Sequence, residues 1–183
     1  YKEQGVEIPK NVAGLMLAAI ISDTLLFRSP TCTKTDKEIA LELAEIAGVD
    51  AEEFGFAMFK AGTSLVGKSI EEIYNQDYKA FNIGDAKVGI AQVNTMDIDG
   101  FAPLKAEMLE YMENLCVENG FDTAVLLLTD VINATSEVFV AGSHPEYVEN
   151  AFNVQLVEHQ ANLPGVISRK KQVVPAITRA INA

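Results

Sequence analysis

Positive charge is scarce in this sequence. Fourteen lysines and arginines stand against 26 aspartates and glutamates, a formal net charge of −12, and no cation occurs between Lys105 and Arg169. That balance argues against a nucleic-acid partner, because general binding to nucleic acid needs a basic face to neutralise phosphates. Cysteine is limited to Cys32 and Cys116, too few for a disulfide framework. Cys116 falls in a helical pattern and reads as a small buried hydrophobe. The longest apolar run, VAGLMLAAIISDTLLF at residues 12–27, is interrupted by an aspartate and is too short and too polar for a membrane span. With no secretory signal either, the expectation is a soluble, cytoplasmic protein without a membrane partner. His144 and His159 are the only histidines, and neither has metal-ligand spacing to the other or to a cysteine. The motifs G-x-S-x-G, G-x-x-x-x-G-K-[ST] and His-Glu-x-x-His are all missing, so nucleophilic catalysis by serine or cysteine has no support and no catalytic side chain is assigned.

Apolar residues make up 49% of the 183, enough to bury a sizeable core and to exclude disorder. The first third reads as helices. YKEQG resembles the last turn of a helix capped by Gly5, which suggests a fragment whose upstream part is missing. Residues 12–27 are apolar almost all round, as in a helix buried on every side. Thr35 with Glu38 predicts the capping box of a second helix ending at Gly48, and Asp50 with Glu53 starts a third that ends near Gly62. AGTSLVGK (61–68) is turn-rich and predicts a linker. Beyond it the pattern alternates. A short helix is capped by Ser69 with Glu72, and KVGIAQVNT (87–95) is a strand. A helix from Pro103 to about Glu118 follows, then TAVLLLTDVI (123–132), apolar throughout like a strand buried on both faces. EVFVAG (137–142) pairs beside it, Ser143 with Glu146 starts another helix, and a strand-like GVI (165–167) leads to a last helix capped by Ser168. This predicts an α/β domain over 69–183 with a mixed sheet flanked by helices, preceded by a helical remnant over 1–60.

Two places break the local rules. Four predicted helix starts carry glutamate at the third helical position, whereas Ser168 is followed by Arg169, Lys170 and Lys171. Cations in a first turn oppose the helix dipole and repel each other; a bound anion would reverse the sign of that arrangement, while a solvated charge cluster beside an acidic surface is the alternative. Asp23 shares a helical face with Met16, Ala19, Ile20 and Phe27. A carboxylate there either caps the SPTCT loop or binds a metal. Lys79, in DYKAF, is by itself an ordinary surface lysine.

Taken together and in this order, AAIISDTLLFRSPTCT, IAQVNT and GVISRKKQVVP resemble the C-terminal part of family II inorganic pyrophosphatases, manganese-dependent enzymes of the DHH phosphoesterase superfamily. The resemblance spans essentially the whole chain. It implies a metal-binding DHH domain, of which residues 1–60 are the C-terminal helices, the linker 61–68, and a DHH-associated, substrate-binding domain over 69–183. It implies Asp23 as a metal ligand for Mn²⁺ (with Co²⁺ or Mg²⁺ as alternatives in the intact enzyme), and Lys79, Arg169 and Lys170 as ligands of pyrophosphate; Lys171 belongs to the motif without an assigned contact. It leaves room for a homodimer of the intact protein. The family's His-x-Asp-x-Asp and Asp-His-His motifs are not in these 183 residues, so a missing N-terminal DHH segment is expected to supply most metal ligands, and this chain alone is expected to be inactive. The rival readings are an exopolyphosphatase of the same superfamily and a non-catalytic phosphate-binding or regulatory module. If the cations form an anion site, Arg169 and Lys170 should face an open concave surface that Lys79 also reaches. Replacing either by alanine should leave folding stability level or slightly raised.

Overall fold

The computed structural model describes residues 1–183, the side chain of Lys2 excepted. The chain divides into two compact units, Tyr1–Thr63 and Ser64–Ala183. Among the described residues no helix is long and apolar enough to cross a membrane.

The first unit is helical. A 3-10 turn, Lys2–Gln4, precedes α1 (Lys10–Thr24), α2 (Lys34–Ala47) and α3 (Ala51–Gly62). Within this unit α1 packs on α2 and α3 along one side only, through Ala13, Leu17, Ile21 and Thr24. Leu15, on another side, is 72% exposed, so the all-round burial expected from the apolar run is not found. The helix also stops earlier than expected. Leu25, Leu26 and Phe27 all have left-handed φ, at 46°, 52° and 65°, and the Leu26 N–H turns back to the Ile21 carbonyl at 3.0 Å. Such angles cost a non-glycine residue of order 1 kcal/mol or more. Burial of the Leu25 and Leu26 side chains offsets that strain. Leu26 presses against α3 where Gly55 leaves room, since a Cβ at Gly55 would lie 2.4 Å from Leu26 Cδ1.

The cap of α2 is Thr33 with Asp36, not Thr35 with Glu38. Asp36 N–H donates to Thr33 Oγ1 at 3.2 Å and Thr33 N–H to Asp36 Oδ2 at 2.8 Å. The spacing of the box is as expected but set two residues earlier, where Thr33 has the extended backbone a cap needs. The Thr33 N–H and, also at 2.8 Å, the Thr33 hydroxyl donate to Asp36 Oδ2 and hold its carboxyl below its ordinary value. Asp50 caps α3 through the N–H groups of Glu52 and Glu53, both at 2.9 Å.

In the second unit Ser69 and Glu72 form the expected capping box of α4 (Ile70–Tyr74). The order is then β1 (Tyr78–Ile83), β2 (Ala86–Thr95), α5 (Lys105–Asn119), β3 (Thr123–Asp130), β4 (Thr135–Gly142), α6 (Glu146–Phe152), β5 (Gln160–Pro164), a π-helix (Arg169–Val173) and α7 (Val174–Ile181). The sheet runs β1-β2-β3-β4-β5 in chain order. Only β2 and β3 are parallel, joined through α5, and the other neighbours are antiparallel, which makes the mixed sheet expected. Its two edge strands escape the sequence pattern. YKAFNI and QANLP carry polar or small residues on half-exposed edges, where burial does not impose alternation. GVI is a turn rather than a strand, with Gly165 at φ +73°. Ser143 does not cap α6. Its hydroxyl faces the Asp122 carbonyl at 3.4 Å, and Pro145 occupies the position before Glu146.

Period-two alternation sorts the strands into two apolar layers. Ala91, Val93, Ala124, Leu126, Leu128, Phe139 and Ala141 meet α4 and α5 through Ile73, Tyr74, Met108 and Met112. Val88, Ile90, Val125, Leu127, Val138 and Val140 meet α6, the π-helix and α7 through Val148, Val173 and Ile177. Every residue of β3 is buried, as its continuous apolar run predicts.

The close of β4 on β3 depends on Gly142, with φ +105° and a Cβ position 2.5 Å from the Asp122 carbonyl oxygen. Gly142→Ala should therefore lose about 1–3 kcal/mol of stability, read as a lower urea midpoint with unchanged m-value; an unshifted midpoint would contradict this packing.

Candidate functional site

The apolar layer under α7 ends in a polar row. Gln92, Thr129 and Ser136 continue the alternation of Ile90, Leu127 and Val138 on β2, β3 and β4, and all three are buried. Thr129 and Ser136 are direct strand partners with hydroxyls 2.9 Å apart. Gln92 Nε2 donates to Thr129 Oγ1 at 3.0 Å. A buried row of polar groups must find partners, and here they lie in the segment 165–169. Gln92 Nε2 also donates to the Ile167 carbonyl at 3.0 Å, and Gln92 Oε1 accepts the Arg169 N–H at 3.0 Å. Ser136 Oγ donates to the Val166 carbonyl at 2.6 Å. From the other side Gln172 Oε1 accepts the Ile167 and Ser168 N–H groups at 2.9 and 3.0 Å, and its Nε2 donates to the Gly165 carbonyl at 2.8 Å. The peptide groups that start the last helix are thus fixed by side chains.

Ser168 caps that helix, as expected, by accepting the Lys171 N–H at 3.2 Å. The first turn is π rather than α, with the Val173 N–H reaching the Ser168 carbonyl at 3.2 Å. It contains no acidic residue, whereas α2 to α6 all have one in the first turn.

The three cations behave differently. Lys170 and Lys171 are exposed. Arg169 is buried, its side chain only 9% exposed, which contradicts the expected open position. Its Nη1 donates to the Asp77 carbonyl and, at 3.3 Å, to the Ile90 carbonyl, while Nη2 donates to Asp77 Oδ1 at 2.6 Å. Burial of a guanidinium requires such partners, and they come from the turn before β1 and from β2. This locates Lys79 as well. It is the antiparallel partner of Ile90, so its side chain leaves the same face of the sheet, and it is exposed. The β1–β2 register therefore brings Lys79 beside the anchorage of Arg169, although 90 positions separate them in sequence.

Asp23 lies in the first unit, exposed in the last turn of α1, not within a buried face. The SPTCT loop is tied to its backbone rather than to its carboxylate, through Thr31 Oγ1 to the Asp23 carbonyl at 3.1 Å. Among the described residues no group of three or more His, Cys, Asp or Glu side chains is placed to hold a metal ion. Asp23 therefore belongs to no metal-binding cluster among the described residues. Groups with raised pKa lie in the other layer. Burial pushes the Tyr74 and Tyr78 phenols up and the Cys116 thiol up to about 11, which keeps that thiol protonated and inert. Gln92, Gln172 and Asp77 were not foreseen as site residues. The signal for Gln92 was a carboxamide directly after the apolar run VGIA of β2.

The DHHA2 domain family model matches residues 57–180. A cobalt-dependent inorganic pyrophosphatase of Clostridium perfringens is 57% identical over 181 residues, 99% of this chain and 33% of that protein. A Clostridium acetobutylicum protein, named as a probable manganese-dependent inorganic pyrophosphatase, is 53% identical over 181 residues, 99% of this chain and 58% of that protein. The crystal structure of a Methanococcus jannaschii protein assigned to the family II inorganic pyrophosphatases superposes with a TM-score of 0.88 at 44% identity, over 97% of this chain and 58% of that one. The chain thus spans between a third and three fifths of the length of these relatives.

The two cations should separate in stability measurements. Arg169→Ala strips a charged donor from two backbone carbonyls and should cost about 1.5–3 kcal/mol, the reverse of the sequence expectation. Lys170→Ala, at an exposed position, should stay level or rise by a few tenths of a kcal/mol. Gln92→Leu should lose on the order of 2–3 kcal/mol by orphaning buried groups. Equal urea midpoints for Arg169→Ala and Lys170→Ala would contradict the burial of Arg169.

Proposed function

Because the chain belongs to the DHHA2 domain family, the C-terminal part of family II inorganic pyrophosphatases, we propose that it supplies the substrate clamp of an enzyme that hydrolyses inorganic pyrophosphate to two phosphates. Lys79, Arg169 and Lys170 bind the phosphoryl groups, and Asp23 is one ligand of a Mn²⁺ or Co²⁺ centre. Residues 1–60 belong with the metal-binding DHH domain, 61–68 connect, and 69–183 form the substrate-binding domain. An upstream DHH segment supplies the remaining ligands, and the location is cytoplasmic.

One observation carries this reading: the β1–β2 register and the Gln92 anchorage bring Lys79 to the face of the sheet that receives Arg169, whose chain neighbour Lys170 is exposed. In a chain of net charge −12, with like charges brought together, a dense anion is the natural counterpart. Arginine offers a planar fork to phosphoryl oxygens and lysine a compact charge. The backbone at residues 165–169 is held by hydrogen bonds before any ligand arrives, so little ordering remains to be done on binding. Bound metal ions supply an activated water and neutralise the phosphoryl charge; the cations of this chain bind and orient the substrate and stabilise charge in the transferring group. The manganese and cobalt in the relatives' names support the choice of metal.

The 183-residue chain alone should hydrolyse pyrophosphate negligibly with Mn²⁺ added, since a two-metal site needs several ligands. Turnover near that of a longer family member would mean the ligands are misassigned. In a longer protein containing this chain, Arg169→Ala or Lys170→Ala should lower kcat/KM by about ten- to a hundredfold. Unchanged steady-state kinetics for both would overturn the clamp.

A further inference from the structure

We propose that Asp77 sets the affinity of the clamp by occupying the exchangeable half of the Arg169 fork, so that a phosphoryl oxygen binds by displacing its carboxylate. This assignment rests on the pyrophosphate-binding function proposed above and deepens it. The two halves of the Arg169 guanidinium are held unequally. Nη1 is fixed by two backbone carbonyls, those of Asp77 and Ile90, which cannot leave without unpairing the start of β1. Nη2 is held by Asp77 Oδ1 at 2.6 Å. The Asp77 side chain is 55% exposed while that of Arg169 is 9% exposed, so the anion stands at the solvent side of the pair and the cation behind it.

Carboxylate and phosphate oxygens meet the same arginine geometry. An approaching phosphoryl group therefore seeks the position that Asp77 Oδ1 holds. The exchange replaces one anionic partner by another, so the buried guanidinium is not left unpaired, and the carboxylate that leaves is already half in solvent. It also leaves Nη1 anchored, so the guanidinium needs no rebuilding when the carboxylate turns away. Lys79, two residues along the chain from Asp77, leaves the strand on the face that receives Arg169. A phosphoryl group on Nη2 would meet that second cation, whereas the Asp77 carboxylate competes with it. In the absence of substrate, Asp77 keeps the buried guanidinium paired; in its presence, Asp77 lowers the fraction of chain ready to bind, and the apparent affinity falls with that fraction.

The test is calorimetric titration of the 183-residue chain and its variants with inorganic pyrophosphate, without metal. Asp77→Asn keeps the side-chain shape and removes the charge. It should bind about two- to fivefold more tightly than the parent chain, while Asp77→Glu, which restores the charge, should stay near the parent value. In an Arg169→Ala background the gain from Asp77→Asn should vanish, because the competition acts through that fork. Parent-like or weaker binding by Asp77→Asn, a similar gain in Asp77→Glu, or a gain that survives Arg169→Ala would each overturn the role of Asp77 and leave the clamp standing. Absence of saturable pyrophosphate binding by the parent chain would overturn the clamp and this inference together.

Discussion

The cation-bearing turn hangs on one side-chain amide. Gln92 reaches from β2 to the Ile167 carbonyl with its nitrogen and to the Arg169 N–H with its oxygen, and so fixes the peptides on both sides of Ser168. Without it the start of the last helix would have to satisfy its free N–H groups from solvent, and nothing would tie Arg169 to β2 by its backbone. Thr129 and Ser136 complete the row across three strands. The row is affordable because each member is satisfied; partly satisfied buried polar networks are destabilising. It also sits where the apolar layer runs out, at the end of the parallel pair β2 and β3.

From that anchorage follows the division of labour among the cations. Arg169 is turned inward as a staple between the last helix and the β1–β2 edge, and in the proposed clamp it is also a donor with one replaceable partner. Lys170 and Lys79 stay exposed to solvent as point charges. Three cations side by side at a helix start would be unfavourable as bare surface charge. Pairing one with two carbonyls and a carboxylate lowers their mutual repulsion, and in the proposed clamp a bound anion would provide the rest. In the proposed clamp, the acidity of the remaining chain would steer phosphate away from other surfaces, and the few clustered cations would gain selectivity from that contrast.

Much of this was legible in the sequence, and the failures have physical causes. The buried strand β3 announced itself as an unbroken apolar run. The cations of SRKK stood out because α2 to α6 begin with acids, a contrast that survives even though Thr33 and not Thr35 caps α2 and Ser143 caps nothing. The edges β1 and β5 were missed because a half-solvated strand has no enforced alternation. The burial of Arg169 was invisible because its partners lie 92 and 79 positions away, and no local pattern encodes a guanidinium folded onto distant carbonyls. The run at residues 12–27 overstated the burial of α1, because apolar composition marks surface that wants covering and does not say that this unit covers it.

The most direct measurement is an NMR titration of the isotopically labelled chain with inorganic pyrophosphate, following the Lys79 and Lys170 side chains and the Arg169 guanidinium together. If strand register and the Gln92 anchorage have built one anion site, all three respond with a single dissociation constant. A response confined to Arg169 and Lys170, with Lys79 silent, would contradict a shared site and leave only a charged helix start.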